Sequence, residues 1–288
     1  MQSIVVRAPA TSANLGAGFD CLGLALDLWN EVRAVPSTTQ DESNLILRAA
    51  RATYDAVGAT YSGFQLDCTN GIVFSRGLGS SAAAIVCGVL LGNRALGGPL
   101  HDAALLDLAT RLEGHPDNIA PCLLGGVRVA LCTDDDRVIQ APVAVAGTLQ
   151  AVCFVPEVGI ATHKARQLLP SGVSLPDAVF NVGRASLMVA ALSSGRFDLL
   201  REATRDRLHQ PYRLPLFPAG ATLMESAMSA GALGAFVSGA GPTILALCRE
   251  TEIAAVKEAF EMAARKTEAA GATLVLGLTQ QGAHVVDD

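Results

Sequence analysis

Apolar and polar residues alternate along the first half of the chain in a pattern that predicts a sheet interrupted by helices. Apolar runs of strand length occur at residues 4–8 and 22–35, on either side of a glycine-containing loop. Helices are predicted at 45–57 and 80–96, and the second is apolar on every side, so we expect it to be buried. The other elements predicted in this half are strands at 64–68, 71–74, 126–132 and 138–142 and a helix at 102–112.

The pattern restarts after residue 146 with the order strand, helix, strand, strand, helix, strand. This order is typical of a ferredoxin-like domain. We therefore predict an α+β fold of two domains, a mixed α/β domain at 1–146 and a ferredoxin-like domain at 147–288. The elements predicted in this half are strands at 149–156, 233–238, 243–248 and 273–279 and helices at 175–193, 197–206, 219–230 and 251–270.

Composition and charge narrow the classes of function. Half of the 288 residues are hydrophobic and 17% are charged, which provides ample apolar surface for a large core. The net charge is −6 and no run of Lys or Arg occurs, so we expect a small polar substrate and no nucleic acid. The chain has no pattern of an export signal or an uninterrupted apolar span, which predicts a cytoplasmic protein without a membrane segment. Seven cysteines without a C-x-x-C pair predict reduced thiols.

A glycine-rich segment, RGLGSSAAA at 76–84, stands where a predicted strand leads into the apolar helix. Glycines allow a phosphate to approach the backbone closely, and the free N–H groups of a helix's first turn attract its negative charge. Simple helix capping is the alternative for such a segment taken alone. The segment is not a Walker A loop, because G-x-x-x-x-G-K-[ST] is absent.

Two further glycine segments carry polar residues. PATSANLGAGFD at 9–20 follows the first strand and contains Asn14 and Asp20, and VSGAGPT at 237–243 joins two predicted strands. Either segment could instead be a loop whose polar side chains only form hydrogen bonds with nearby backbone groups. The acidic segment TDDDR at 133–137 is better explained as a solvated hairpin turn than as a metal site.

In this order, PATSANLGAGFD, GLGSSAA and SGAGPT resemble the three signature motifs of the GHMP kinases, named after galactokinase, homoserine kinase, mevalonate kinase and phosphomevalonate kinase. The segments at 113–126, 181–186 and 209–213 resemble the members that phosphorylate homoserine. The resemblance covers essentially the whole chain, although Val73 and Ala17 stand where the family usually has proline. It implies a two-domain GHMP kinase fold, a cleft that binds ATP, Mg²⁺ and L-homoserine, and a homodimer.

The resemblance also implies roles for individual residues. Ser81 and Glu113 would ligate Mg²⁺, with Asp107 as the alternative to Glu113, and Mg²⁺ commonly takes only one or two protein ligands. Asn118 and Glu113 would be the catalytic residues. The residues that would bind the ATP phosphates are Arg76, Gly77, Leu78, Gly79, Ser80, Ser81 and Ala82. Those that would bind the substrate are Asn14, Asp20, Asn118, Arg184 and Arg213.

The chemistry of homoserine agrees with these roles. Arg184 and Arg213 would bind its carboxylate and Asp20 its ammonium group, although each could instead be an ordinary surface or domain-bridging charge. Asn118 would orient the hydroxyl for direct attack, because an amide cannot accept a proton at neutral pH. His115 and Asp117 are the alternative general bases, and a local structural role is favoured for His115.

Two other functions remain open at this stage. One is a GHMP kinase that acts on a mevalonate-like or sugar substrate, which we would expect to carry an Asp base and to lack the pair Arg184 and Arg213. The other is a binding protein on the same fold without catalytic activity, against which the three complete loops, Ser81 and Glu113 argue.

Overall fold

The computed structural model describes residues 3–38 and 40–286. Its first sheet is built around one long strand, β2, whose first half pairs with β4 and whose second half pairs with β3. The strand order is β10-β1-β2-β4-β5, with β3 beside β2. The bounds of these strands are β1 Ile4–Asn14, β2 Gly18–Pro36, β3 Phe64–Asn70, β4 Val127–Cys132, β5 Val138–Val143 and β10 His284–Val286.

Four helices accompany this sheet. The second of them, Ser80–Ala95, is buried at most of its positions, which confirms the expectation from its apolar sequence. Its burial brings the glycine-rich segment that precedes it against the first strand. The bounds of the helices are α1 Leu45–Ala56, α2 Ser80–Ala95, α3 Asp102–Glu113 and α4 Pro116–Leu124.

The second sheet is antiparallel, with the order β7-β8-β6-β9. Its first strand therefore lies between its third and fourth, as in a ferredoxin-like domain. Phe154 contacts both Phe217 and Phe260 in the core that packs against this sheet. The bounds are β6 Gln150–Pro156, β7 Gly234–Val237, β8 Ile244–Cys248, β9 Gly271–Gly277, α5 Thr162–Gln167, α6 Leu175–Ser194, α7 Leu200–Ala203, α8 Gln210–Arg213, α9 Ala219–Ser229 and α10 Ile253–Lys266.

Several features differ from the sequence predictions. Residues 71–74 form a loop and not a strand, and the buried helix α4 and the short helices α5 and α8 lie where no helix was predicted. The last described strand, β10, returns to pair with β1 in the first sheet. The second half of the chain thus contributes a strand to the first sheet, and the boundary near residue 146 stays a prediction.

The helix α4 contains Pro121, a residue that is unfavourable inside a helix. Proline lacks the N–H that would bind the carbonyl four residues earlier, and its ring usually interrupts a helix. Here that carbonyl belongs to Asp117 and lies against Gly23 of β2, where an added Cβ atom would overlap it. The absence of a side chain at Gly23 lets the freed carbonyl approach the sheet, so the helix continues through Pro121.

Among the described helices, α6 alone is long and apolar enough to meet the length and hydropathy criteria for a membrane span. Its Leu175, Val179 and Val182 side chains are exposed. Two of its polar side chains, Asn181 and Arg184, are bonded to other parts of the folded chain. Such contacts are those of a helix packed on protein, and the expectation of no membrane segment stays a prediction.

Candidate active site

The three glycine segments meet at one place in the fold. The Thr11 amide of the first segment donates to the Leu78 carbonyl of the second over 3.1 Å. The Ser238 hydroxyl of the third segment donates to the Gly77 carbonyl over 2.6 Å, and the Gly239 amide donates to the Ala13 carbonyl over 3.1 Å. Segments separated by more than 60 residues along the chain therefore form one wall of a cleft.

The second segment turns into α2 at a site suited to an anion. Gly79 is the N-cap in the left-handed conformation (φ 70°) and makes no side-chain cap, so the first-turn N–H groups stay available to a ligand. Gly77 is also left-handed (φ 78°). A Cβ atom at Gly79 would overlap the Thr11 hydroxyl, and one at Gly77 would overlap the Ser238 carbonyl. Both positions therefore require glycine for two reasons, backbone conformation and contact.

A hydroxyl and a carboxylate lie at the mouth of this loop. Ser81, in the first turn of α2, donates from Oγ to Oε2 of Glu113 over 2.6 Å. Glu113 is the last residue of α3, and the left-handed Gly114 ends the helix there so that the carboxylate faces the cleft. These two hard oxygen donors are of the type that Mg²⁺ prefers. The described residues contain no group of three His, Cys, Asp or Glu side chains that could hold a metal ion.

Opposite the loop, the cleft contains a carboxylate between two guanidinium groups. Arg166 of α5 donates to both oxygens of Asp20, over 2.9 and 2.7 Å. Arg213, at the end of α8, donates to the Gly239 carbonyl over 2.8 Å. Asn14 also faces this part of the cleft and holds the third segment through its bond to the Gly239 carbonyl.

Arg213 is a buried cation with incomplete hydrogen bonding. Only 4% of the residue is exposed, and its Nε finds no partner among the residues that the structure describes. Burial, and then the charge of Arg166, lower the pKa of Arg213 to about 10, so the guanidinium is still charged at neutral pH. The charges of Asp20, Asp117 and Asp206 partly offset this lowering of the pKa. Arg166 and Arg213 both line the cleft, where their guanidinium groups can donate to an anionic group of a ligand.

A second polar group lies between the loop and the arginines. His115 Nδ1 is 2.6 Å from an Asp117 carboxylate oxygen, and that oxygen also accepts the Asn118 amide. The Asn118 side chain accepts from the Thr11 hydroxyl over 2.7 Å, which joins α4 to the first glycine segment. All three α4 residues line the cleft although each is at most 9% exposed.

The ionisation of His115 follows from its partner. Burial alone would lower the pKa of His115, but the hydrogen bond and charge of Asp117, with a smaller contribution from Glu113, raise it above the ordinary value. The raised pKa extends the protonated form of His115 to higher pH than for an ordinary histidine, and that form cannot accept a proton.

We predict that this pair makes stability depend on pH. Because the folded pKa of His115 is raised, its contribution is full below the unfolded pKa of about 6.5 and is lost as pH rises through the folded pKa. The difference in unfolding free energy between the wild type and His115→Gln should therefore be largest in mild acid and shrink in alkali. Urea titrations over that pH range measure this difference in unfolding free energy. Asp117→Asn should abolish the contribution of His115 to the pH dependence of stability. Parallel stability curves for wild type and His115→Gln would contradict the assignment.

An apolar cavity of about 220 Å³ lies beside α2, next to Phe74 of the segment that leads into the glycine loop. Its walls include Val32, Ile46, Phe74 and Ala84, and Asn30 and Asn70 provide amide groups at the edge. The cavity adjoins the loop at 71–79, so a ligand bound by the loop could extend into it. The sequence analysis did not predict this cavity, because its walls come from β2, β3, α1 and α2.

Family models match both halves of the chain. The model of the GHMP kinases N terminal domain matches residues 44–126, and that of the GHMP kinases C terminal matches residues 188–265. A homoserine kinase from Thermus thermophilus is 45% identical over 281 residues, which cover 94% of each chain. The chain belongs to the GHMP kinase family.

Two further comparisons agree with this membership. A homoserine kinase from Caldicellulosiruptor bescii is 43% identical over 261 residues, which cover 86% of this chain and 85% of the relative. The crystal structure of a homoserine kinase from Cytophaga hutchinsonii superposes with a TM-score of 0.89 at 30% identity, covering 99% of this chain and 98% of that chain. The predicted two-domain α+β fold of the GHMP kinases is therefore confirmed.

The GHMP kinase cleft contains most of the residues singled out from the sequence. The glycine loop contributes backbone and hydroxyl groups to it, whereas Leu78 and Ala82 are fully buried and support the loop from within the core. The predicted residues that line the cleft are Asn14, Asp20, Gly77, Gly79, Ser80, Ser81, Glu113, Asn118 and Arg213.

Three predicted residues lie elsewhere in the structure. The Arg184 guanidinium packs 3.2 Å from the centre of the Phe180 ring and pairs with Glu202, away from the cleft. The Arg76 side chain donates to backbone carbonyls, including that of Pro156, and so ties the loop to the second sheet instead of facing the cleft. The Asp107 carboxylate accepts the amide of the first β5 residue over 2.7 Å and does not line the cleft.

Sequence reasoning missed Arg166 and Thr162, which both line the cleft. Thr162 begins and Arg166 ends the basic stretch THKAR, which follows β6 after a short loop and lies in a short helix without a clear apolar period. The one feature of the sequence that could have indicated these residues is the pair of basic side chains, Lys164 and Arg166, in the segment after β6. Arg166 thus takes the position in the cleft that the sequence analysis had given to Arg184.

Proposed function

We propose that this GHMP kinase transfers the γ-phosphate of ATP to the hydroxyl of L-homoserine. The observation that carries the proposal is a cleft with a phosphate-type glycine loop on one wall and Asp20, Arg166 and Arg213 on the other. The names of the relatives from Thermus thermophilus and Caldicellulosiruptor bescii support it. The test is an ATP-consumption assay on the purified protein with a panel of amino acids, mevalonate and sugars. Turnover with mevalonate or a sugar in place of homoserine would refute the substrate assignment, and no turnover with any of them would favour a binding protein.

The nucleotide is proposed to bind with its phosphates on residues 77–82. Their left-handed glycines and the first turn of α2 present N–H groups to the anion. The apolar cavity beside Phe74 and Ala84 suits the adenine ring, and the Asn30 and Asn70 amides can serve its ring nitrogens. Arg76 contributes through its side-chain bonds to the backbone, which hold the loop against β6.

Mg²⁺ fits the oxygens of Ser81 and Glu113. Both are hard donors, they already lie 2.6 Å apart, and they flank the loop that would hold the phosphates. Such a sparse donor set is ordinary for Mg²⁺, which keeps several waters and also binds substrate phosphates. When bound there, the ion neutralises charge on the transferred phosphoryl group.

The zwitterion of homoserine is proposed to bind between the charged groups of the opposite wall. Its carboxylate would accept from Arg166 and Arg213, whose guanidinium groups both line the cleft. Its ammonium group would bind Asp20, which already pairs with Arg166 in a geometry that leaves both side chains about one-third exposed. Each charge of the substrate thereby meets the opposite charge in the protein.

Direct attack by the hydroxyl accounts best for the polar groups between the two walls. Phosphoryl transfer requires in-line placement and charge stabilisation more than covalent help from the protein. Asn118 is held by Thr11 and by Asp117, so its amide has a fixed orientation toward the cleft. Asn118 orients the hydroxyl, whose proton leaves to phosphate or water.

We predict that Arg166→Met and Arg213→Met each raise the KM for homoserine about 10- to 100-fold, because a hydrogen bond between charged groups contributes about 1.5–3 kcal/mol. The KM for ATP should change little. Steady-state kinetics with either substrate varied measure both values. Arg184→Met is the matched control, since it removes a guanidinium from the same domain but outside the cleft. A homoserine defect in the Arg184 variant alone would reverse the assignment.

A homodimer and a cytoplasmic location are further proposals that rest on the resemblance to the family. The exposed apolar side chains of α6, Leu175, Val179 and Val182, are compatible with self-association. Sedimentation velocity of the wild type measures the oligomeric state directly.

A further inference from the structure

The loop that carries Asn14 and Asp20 adopts an unusual backbone conformation. Asn14, Leu15 and Asp20 all have positive φ, at 72°, 42° and 57°, although each bears a side chain. Residues other than glycine rarely adopt this region, and it persists only where the surroundings impose it. The conformation aims the Asp20 carboxylate into the cleft, so whatever imposes it also sets the position of that charge.

Two buried side chains behind the cleft bind the middle of this loop. His209 Nε2 lies 2.7 Å from the Gly16 carbonyl, and Asn181 Nδ2 donates to the Ala17 carbonyl over 3.2 Å. A carbonyl only accepts, so the proton of the neutral imidazole is on Nε2. Neither side chain lines the cleft, and their exposed fractions are 0% and 2%.

A buried carboxylate holds these two side chains in place. Asp206 accepts from Asn181 Nδ2 over 2.6 Å and from the amides of Leu208, His209 and Gln210, so it starts the short helix α8 as well. That helix ends in Arg213, whose NH1 lies 3.4 Å from His209 Nδ1. The same cluster is thus in contact with the loop of Asp20 and with the arginine opposite it.

Phe19 completes the connection. Its ring stacks on His209 with 5.4 Å between centroids, and its other contacts are the guanidinium groups of Arg166 and Arg213, at 5.7 and 5.2 Å. His209 therefore supports both the backbone of the loop and the aromatic surface on which the two arginines lie.

We propose that His209 and Asn181 are positioning residues for the amino-acid end of the substrate. They hold residues 14–20 in the strained conformation that presents Asp20 to the ammonium group, and they touch no substrate themselves. The inference rests on the proposed function, because it assigns Asp20 to the substrate's ammonium group. It also explains why two conspicuous segments of the sequence, 181–186 and 209–213, contain an amide and an imidazole that the reaction does not use.

The test compares two substitutions of His209. His209→Leu removes the donor to the Gly16 carbonyl, whereas the amide of His209→Gln can still donate at the position of Nε2. We expect the KM for homoserine to rise about 10-fold in the leucine variant and less than about 3-fold in the glutamine variant, with kcat nearly unchanged in both, as for a loss of substrate binding alone. The dissociation constant for ADP should equal that of the wild type, because the cluster does not contact residues 77–82.

Asn181→Ala provides a second variant that keeps the test valid if His209→Leu does not fold. It should raise the KM for homoserine by a similar factor without changing the affinity for ADP. Asn93→Ala is the control for destabilisation alone, because Asn93 makes two hydrogen bonds to Leu100 far from the cleft, and it should leave both constants unchanged.

The outcomes separate this inference from the proposed function. A wild type that does not phosphorylate homoserine refutes the proposed function before any variant is compared. If the wild type is active, a wild-type KM for homoserine in folded His209→Leu or Asn181→Ala overturns the positioning role. Equal losses for homoserine and ADP, or the same loss in His209→Gln as in His209→Leu, overturn it as well.

Discussion

Replacing Gly79 with alanine is expected to lower kcat/KM for ATP by about 100-fold while the chain still folds. The left-handed conformation of Gly79 (φ 70°) disfavours any side chain by roughly 1–2 kcal/mol. The larger effect comes from contact, since the new Cβ would overlap the Thr11 hydroxyl. Relief of that overlap must shift the phosphate loop or Thr11, and Thr11 holds Asn118 in the cleft.

Two further variants separate strain from contact. Gly98→Ala introduces a side chain at a similar φ of 81°, but nothing lies within 4 Å of its Cβ, so it should keep wild-type kinetics at a small loss of stability. Removing the Thr11 hydroxyl in the double variant Gly79→Ala/Thr11→Ala should recover part of the ATP binding lost in Gly79→Ala. An activity loss in Gly98→Ala as large as in Gly79→Ala would show that contact with Thr11 is not the cause.

Glu113→Gln is expected to reduce kcat by about 100-fold or more, equivalent to about 3 kcal/mol of transition-state stabilisation. An amide is a poorer ligand than a carboxylate for a hard cation, so the concentration of Mg²⁺ at half-maximal activity should rise as well. The bond from Ser81 places Glu113 directly at the phosphate loop, which is why a change of one atom should have so large an effect. Initial rates over a Mg²⁺ titration at saturating ATP measure both quantities.

Asp107→Asn is the matched control for this experiment. Asp107 lies on the same helix as Glu113, but its carboxylate accepts the amide of Val138 and does not line the cleft. The variant should keep the Mg²⁺ dependence of the wild type and lose only a little stability. If Asp107→Asn requires more Mg²⁺ and Glu113→Gln does not, the metal site has been assigned to the wrong carboxylate.

The glycine loop before α2 could be singled out from the sequence because its glycines and the apolar run after them form a local pattern, although the contacts with Thr11 and Ser238 that also require glycine there could not. Gly77 and Gly79 need left-handed backbone, the apolar run that follows needs burial, and both properties depend on neighbouring residues. The same reasoning could not predict α4, since Pro121 normally interrupts a helix. The helix continues through Pro121 because Gly23, a residue of β2 almost 100 positions earlier, leaves room for the Asp117 carbonyl.

Arg166 and Arg184 show most clearly that a local sequence pattern does not predict which side chain lies in the cleft. Arg184 and Arg166 are both cations in segments that follow β6, and no feature of the local sequence states which one faces the loops. In the structure Arg184 packs on Phe180 of its own helix, whereas Arg166 reaches Asp20 across 146 residues of sequence. The choice depends on how α5 and α6 are set against the first sheet.

The sequence by itself determined most of the longer helices and strands, the burial of α2 and the three glycine segments, because each depends on residues close together in the chain. Only the tertiary structure decided that these segments meet, that Arg166 rather than Arg184 lies in the cleft, and that His209 and Asn181 support the loop behind it. The physical reason is that the direction of a side chain follows from the packing of the whole element that carries it. That packing is set by contacts between residues far apart in sequence, which a local pattern does not encode.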